Sequence, residues 1–153
     1  MSIQWSLEFA ASQPDAAYLD WLRAEPGFIG PVACREYPEF RIASLFVSVK
    51  PADEDPVWID DFARMYGFRQ THNLYCSKAT RENIVYDWQV LSIAMRFLRD
   101  FSDDAVLEAY GSPYFIRKGG VLAVAQKLFA TSPEWGAFLK PPHWSGPIVA
   151  LTR

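Results

Sequence analysis

The chain has 153 residues, half of them apolar and 16% aromatic, with a formal net charge of −3. A single domain of this length can bury roughly two-thirds of its unfolded surface. The short, dispersed apolar runs exclude a helical membrane span of about 20 apolar residues, and the net charge is mild but uneven: the acidic run of Asp53, Glu54, Asp55, Asp60 and Asp61 disfavours nucleic acid, whose binding rests on phosphate neutralisation by Lys and Arg.

Ile3, Trp5, Leu7 and Phe9 alternate with Ser2, Gln4, Ser6 and Glu8, which predicts a strand with one apolar and one wet face. Met1 to Trp5 lack the basic and apolar regions of a signal peptide, so a cytoplasmic location is expected. Pro14-Asp15 opens a helix carried on by Ala17, Leu19, Trp21 and Leu22 and stopped by Pro26-Gly27. Phe40 to Lys50 alternates as one further strand, ended by Pro51. Val57 to Tyr66 is an amphipathic helix closing at Gly67, which can take the positive φ of a C-cap while Phe68 packs back on the last turn. A strand follows over Thr71 to Ser77.

From Asn83 to Phe101 apolar residues are so dense that Gln89, Ser92, Arg96 and Arg99 form one narrow polar stripe, as expected of a long helix at the centre of a core. Ala105 to Tyr110, Tyr114 to Lys118 and Val121 to Ala125 then read as a meander, and Gly119-Gly120 supplies the two positive-φ residues of a tight hairpin. In the Pro-rich tail, residues 132–153, Ser132-Pro133-Glu134 starts a turn or two of helix, Pro141-Pro142 forbids its continuation, and Ile148 to Leu151 makes a last extended segment at a sheet edge. Together these elements predict one α+β domain: a mostly antiparallel sheet, one long central helix and two shorter ones.

Candidate chemistry is sparse. His72 and Cys76 share one strand face with Leu74 and can be read as a Cys-His nucleophile pair or half a metal site. The other histidine, His143, stands apart in the tail, so packing is the preferred reading. Cys34 and Cys76 lie in apolar surroundings and read as buried small hydrophobes rather than a disulfide. Asp100, Asp103 and Asp104, or Asp60 and Asp61, are explained by helix capping and a solvated face before acid/base work. Arg117-Lys118-Gly119-Gly120 lacks the strand-loop-helix context of a phosphate-binding loop. Tyr110, Tyr114 and Phe115 read as sheet core rather than as stacking platforms for bases. No catalytic residue, metal or cofactor is assigned. The one strong charge feature is acidic: Asp53, Glu54, Asp55, Asp60 and Asp61 stand together without an intervening base, with Trp58 among them.

Tyr66-Gly67-Phe68-Arg69-Gln70-Thr71 leads into a strand ending at Lys78. The long apolar helix ending Phe97-Leu98 follows, then Asp104-Ala105-Val106-Leu107 and Ile116-Arg117-Lys118-Gly119-Gly120-Val121-Leu122. This succession, with the opening Ser2-Ile3-Gln4-Trp5-Ser6-Leu7-Glu8 strand, resembles the swarm-inhibition (Sit-type) immunity proteins of bacterial contact-dependent toxin systems. The resemblance implies a small, non-enzymatic cytoplasmic protein that neutralises one cognate toxin by stoichiometric binding, and it carries over no functional residues. For such a protein, the expected toxin contact is Asp53, Glu54, Asp55, Trp58, Asp60 and Asp61, since carboxylates can mimic phosphates before a basic toxin site while an aromatic neighbour supplies buried area. Two rival readings stand beside it. One is a small enzyme or ligand-binding domain with a pocket near His72, Cys76, Tyr75 and Arg117; the other is a structural subunit burying its aromatic surplus in a homo-oligomer.

Overall fold

The computed structural model describes residues 4–34, 36–52, 55–78, 86–109, 111–126 and 133–151. Nine strands form one sheet: β1 (Gln4–Phe9), β2 (Phe28–Cys34), β3 (Pro38–Ile42), β4 (Leu45–Pro51), β5 (His72–Lys78), β6 (Ala105–Ala109), β7 (Ser112–Lys118), β8 (Val121–Ala125) and β9 (Ile148–Leu151). Their order is β2-β3-β4-β5-β1-β6-β7-β8-β9. Every neighbouring pair is antiparallel except β8 and β9, which run parallel. The α+β class and the mostly antiparallel sheet are therefore as expected, and β9 does lie at an edge.

The first strand of the chain is the middle strand of the sheet. Leu7 pairs with Leu74 on one side and with Leu107 on the other, so a single apolar row crosses three strands. Helices α1 (Asp15–Arg23) and α3 (Tyr86–Asp100) cover this face, where Tyr18, Leu22, Leu91, Met95 and Phe97 pack on Trp5, Leu7, Phe9, Leu74 and Phe115. Helix α2 (Pro56–Tyr66) covers part of the opposite face through Phe62 and Tyr66, which cluster with Phe68 and Val106. At 15 residues α3 is the longest of the three described helices, and the expected start at Asn83 lies outside the described residues.

Two expectations need correction. Phe40 to Lys50 is not one strand: β3 and β4 are joined at Ala43-Ser44, where Ala43 takes φ 52°. That turn has no Gly, Asn or Pro to announce it; it is held by Arg41 Nε donating to the Ala43 carbonyl at 3.0 Å and by Ser44 N donating to Gln89 Oε1 at 3.1 Å. Nor is the polar face of β1 wet along its whole length: Gln4 is exposed and Ser6 half-buried, but Glu8 is not. Glu8 is 8% exposed because α2 and the segment after it lie over it.

The second half is pinned to α3 by one side chain. Buried Arg117 on β7 donates from Nη1 to the Leu98 carbonyl in the last turn of α3 at 2.6 Å and from Nε to the Asp103 carbonyl in the segment after it at 2.8 Å. Gly119 and Gly120 take φ 57° and 80° in the β7–β8 hairpin. In the tail, a 3₁₀ helix over Pro133–Leu139 brings Phe138 against Trp88, with ring centroids 5.0 Å apart, and Trp144 is buried.

Candidate functional site

Alternation along β1 and β6 sends Leu7 and Leu107 to the α1/α3 face and therefore sends Glu8 and Glu108 to the α2 face. There the two carboxylates are close enough for Glu108 to act on Glu8 electrostatically. Each has its own partner. Ser6 Oγ donates to Glu8 Oε1 at 2.8 Å, and the Tyr66 hydroxyl at the end of α2 donates to Glu108 Oε1 at 2.5 Å. Buried Gln70 completes the chain of contacts: with its amide in the orientation that suits both neighbours, the nitrogen donates to Glu8 Oε2 and the oxygen accepts from Trp58 Nε1 at 3.0 Å. Burial pushes the Glu8 carboxyl up to about 7; the Ser6 hydrogen bond opposes this and the Glu108 charge adds to it.

This polar cluster sets the outer surface of α2. Asp55 is the N-cap, its carboxylate accepting from Val57 N at 3.0 Å, and Gly67 closes the helix at φ 78°. With Phe62 and Tyr66 turned inward, Val57 (69% exposed), Trp58 (40%) and Met65 (41%) face solvent. Trp58 is fixed from below by Gln70 and by an edge contact with Phe62 at 6.3 Å. Asp61 pairs with Arg64 at 3.0 Å and Asp60 with Arg69 at 3.6 Å, all four side chains being largely exposed. Of the six residues expected to contact a partner, Asp55, Trp58, Asp60 and Asp61 thus lie on or at the start of one helix, while Asp53 and Glu54 lie outside the described residues.

The other candidates are engaged in packing. Cys76 is free and buried beside Trp5, Leu7, Leu74, Val90, Ala94 and Leu107, where no room remains for a water molecule, and burial pushes its thiol up to about 12. A thiol held protonated in this way is a poor nucleophile. His72 turns to α1 instead, with Nε2 2.8 Å from Asp15 Oδ1, Nδ1 2.9 Å from Thr71 Oγ1 and its ring over Phe9. The Thr71 hydroxyl oxygen already accepts from Ala11 N at 2.8 Å, so this Asp-His-Thr contact ties a strand entry to a helix start.

Asp100, Asp103 and Asp104 do not converge. Asp100 pairs with Arg99 and accepts from Trp21 Nε1, and the Arg99 hydrogen bond holds its carboxyl below the usual range. Buried Asp103 accepts from the Tyr18 hydroxyl at 2.5 Å and from Ser12, and Asp104 receives Gly119 N at 2.9 Å in the hairpin turn. Among the described residues no group of three metal-ligating side chains is present, and no helix is long and apolar enough to cross a membrane.

Comparison with known protein families, with curated proteins and with solved structures gave no match.

Glu8 and Glu108 were not legible as a pair. They are about 100 positions apart in the chain, and the only local signal was an acidic residue on a strand face expected to be wet.

Proposed function

We propose that this protein binds a cognate bacterial toxin and neutralises it by stoichiometric protein–protein contact, as the resemblance to Sit-type immunity proteins implies. The observation that carries the reading is the outward face of α2, where Val57, Trp58 and Met65 are exposed on one helix bordered by Asp60, Asp61 and Arg64. An apolar centre with an aromatic anchor and a charged rim is the usual anatomy of a binding hot spot. Trp58 is held in place before any partner arrives, which lowers the ordering cost of association. The acidic segment enters as rim, guiding a basic partner rather than supplying most of the affinity.

An enzyme centred on His72 and Cys76 has less support, since the thiol lies in a packed core and the imidazole is occupied by Asp15 and Thr71.

Capture from the native host with the tagged protein, followed by a titration of the recovered partner, tests the proposal. A one-to-one complex is expected, weakened at least about 30-fold by Trp58→Ala, the loss of an interface anchor. Retained affinity in a folded Trp58→Ala/Met65→Ala variant removes α2 as the contact face. Failure to recover any toxin-like partner removes the reading itself.

A further inference from the structure

Gln70 stands between a carboxyl and an indole, and the two ends of its amide are not interchangeable. An indole N–H only donates, so the Gln70 oxygen faces Trp58 Nε1 and the nitrogen is left to face Glu8 Oε2. This arrangement satisfies every group when Glu8 is ionised and accepts at both oxygens, from Ser6 Oγ and from Gln70. A proton on Oε2 makes that oxygen a donor. The Gln70 amide then turns its oxygen to Glu8, and its nitrogen meets the indole N–H, donor against donor. A proton on Oε1 instead leaves Oε2 an uncharged acceptor, and the bond from Gln70 loses its charge assistance. In both cases protonation weakens the hold on Trp58, which is 40% exposed and can turn its N–H to water.

The groups packed around Glu8 favour its taking up a proton. From β6, Glu108 adds a second negative charge, and from α2 the Tyr66 hydroxyl is committed to Glu108. From β5, Asn73 stands directly opposite Glu8, and its buried side-chain oxygen has no donor among the described residues. The cations bordering this face are engaged elsewhere. Lys50, opposite Asn73 on β4, holds its ammonium 4.7 Å from the centre of the Tyr75 ring; Lys118 on β7 lies against Gly67; Arg69 pairs with Asp60.

We propose that Gln70 relays the charge of Glu8 to Trp58, so that the binding face of α2 is set while Glu8 is ionised and loosened when Glu8 takes up a proton. The relay regulates the surface of the protein-binding proposal and rests on that reading for its partner, but it operates in the free chain. A partner that needs Trp58 in place binds the ionised form, so binding releases a proton and affinity falls as pH drops through about 7.

The test follows the Trp58 indole N–H and the Glu8 carboxyl carbon by NMR in the isotopically labelled full chain from about pH 5 to about pH 9, with Trp58→Phe assigning the indole signal. Both are expected to titrate with one midpoint near 7. Gln70→Leu should leave the Glu8 titration in place and abolish the indole response, and Glu8→Gln should abolish it as well. For a recovered partner, the wild-type affinity should be about fivefold weaker at about pH 6 than at about pH 8, the loss of one hydrogen bond, and independent of pH in Glu8→Gln. A wild-type indole signal that is flat or titrates apart from the carboxyl overturns the relay. So does an indole response that survives in folded Gln70→Leu or, where that variant does not fold, in Glu8→Gln. A wild-type affinity independent of pH overturns the control of binding. If no toxin is recovered, an indole that follows Glu8 only through Gln70 still supports the relay, and the toxin reading alone fails.

Discussion

At the level of single residues, Glu8 makes stability depend on pH in the direction opposite to an ion-paired carboxylate. Its carboxyl titrates near 7 in the folded protein and near 4.5 when free, so between these values the native state holds a proton that the unfolded chain has released. Stability is therefore full below about pH 4.5, falls as pH rises to about 7, and levels off above. A shift of that size corresponds to about 3 kcal/mol. Urea unfolding across this range should show the loss in the wild-type protein, and Glu8→Gln should remove most of it and exceed wild-type stability at about pH 8. A wild-type profile without that decline would contradict the buried Glu8 carboxyl. Arg117 makes a different prediction, because its guanidinium holds the carbonyls of Leu98 and Asp103 in a buried setting. Arg117→Met should cost about 2–4 kcal/mol in the same measurement by leaving those acceptors and the Asp103 carboxylate without their neighbour.

Among elements, α2 is set by its two ends. Asp55→Ala removes the N-cap and should cost about 1 kcal/mol. Gly67→Ala should cost as much or more, about 1–3 kcal/mol, because φ is 78° there, while the Lys118 side-chain end near the new Cβ can move aside; thermal unfolding of both variants checks the order. Ala43, at φ 52°, calls for the reverse change: Ala43→Gly should be neutral or stabilising by up to about 1 kcal/mol. Elements were legible in the sequence where one residue type enforces a geometry, as at Gly67 and at Gly119-Gly120. The β3–β4 turn was not, since Ala43-Ser44 has no turn chemistry and is held by Arg41 and by Gln89 from α3. The candidate site divides in the same way. Trp58 and the acidic run could be named from local composition, whereas the Glu8–Glu108 cluster depends on strand order, which no local pattern encodes.

The whole molecule is organised around a strand whose two partners come from far along the chain: Trp5 pairs with Cys76 on one side and Ala109 on the other. Closing loops of that length precedes any reward from pairing, so refolding by stopped flow should fall in the millisecond-to-second range rather than in microseconds. The same arrangement has a consequence during synthesis on the ribosome. Chain emerges at about 5–20 residues per second, so roughly 5–20 s separate the appearance of Phe9 from that of Ala109. Throughout that interval the strand that will become the centre of the sheet is a nascent segment bearing Trp5, Leu7 and Phe9 with at least one ladder edge open. A charge such as Glu8 within an apolar strand disfavours premature pairing with other chains, and in the finished fold that same side chain is buried beneath α2.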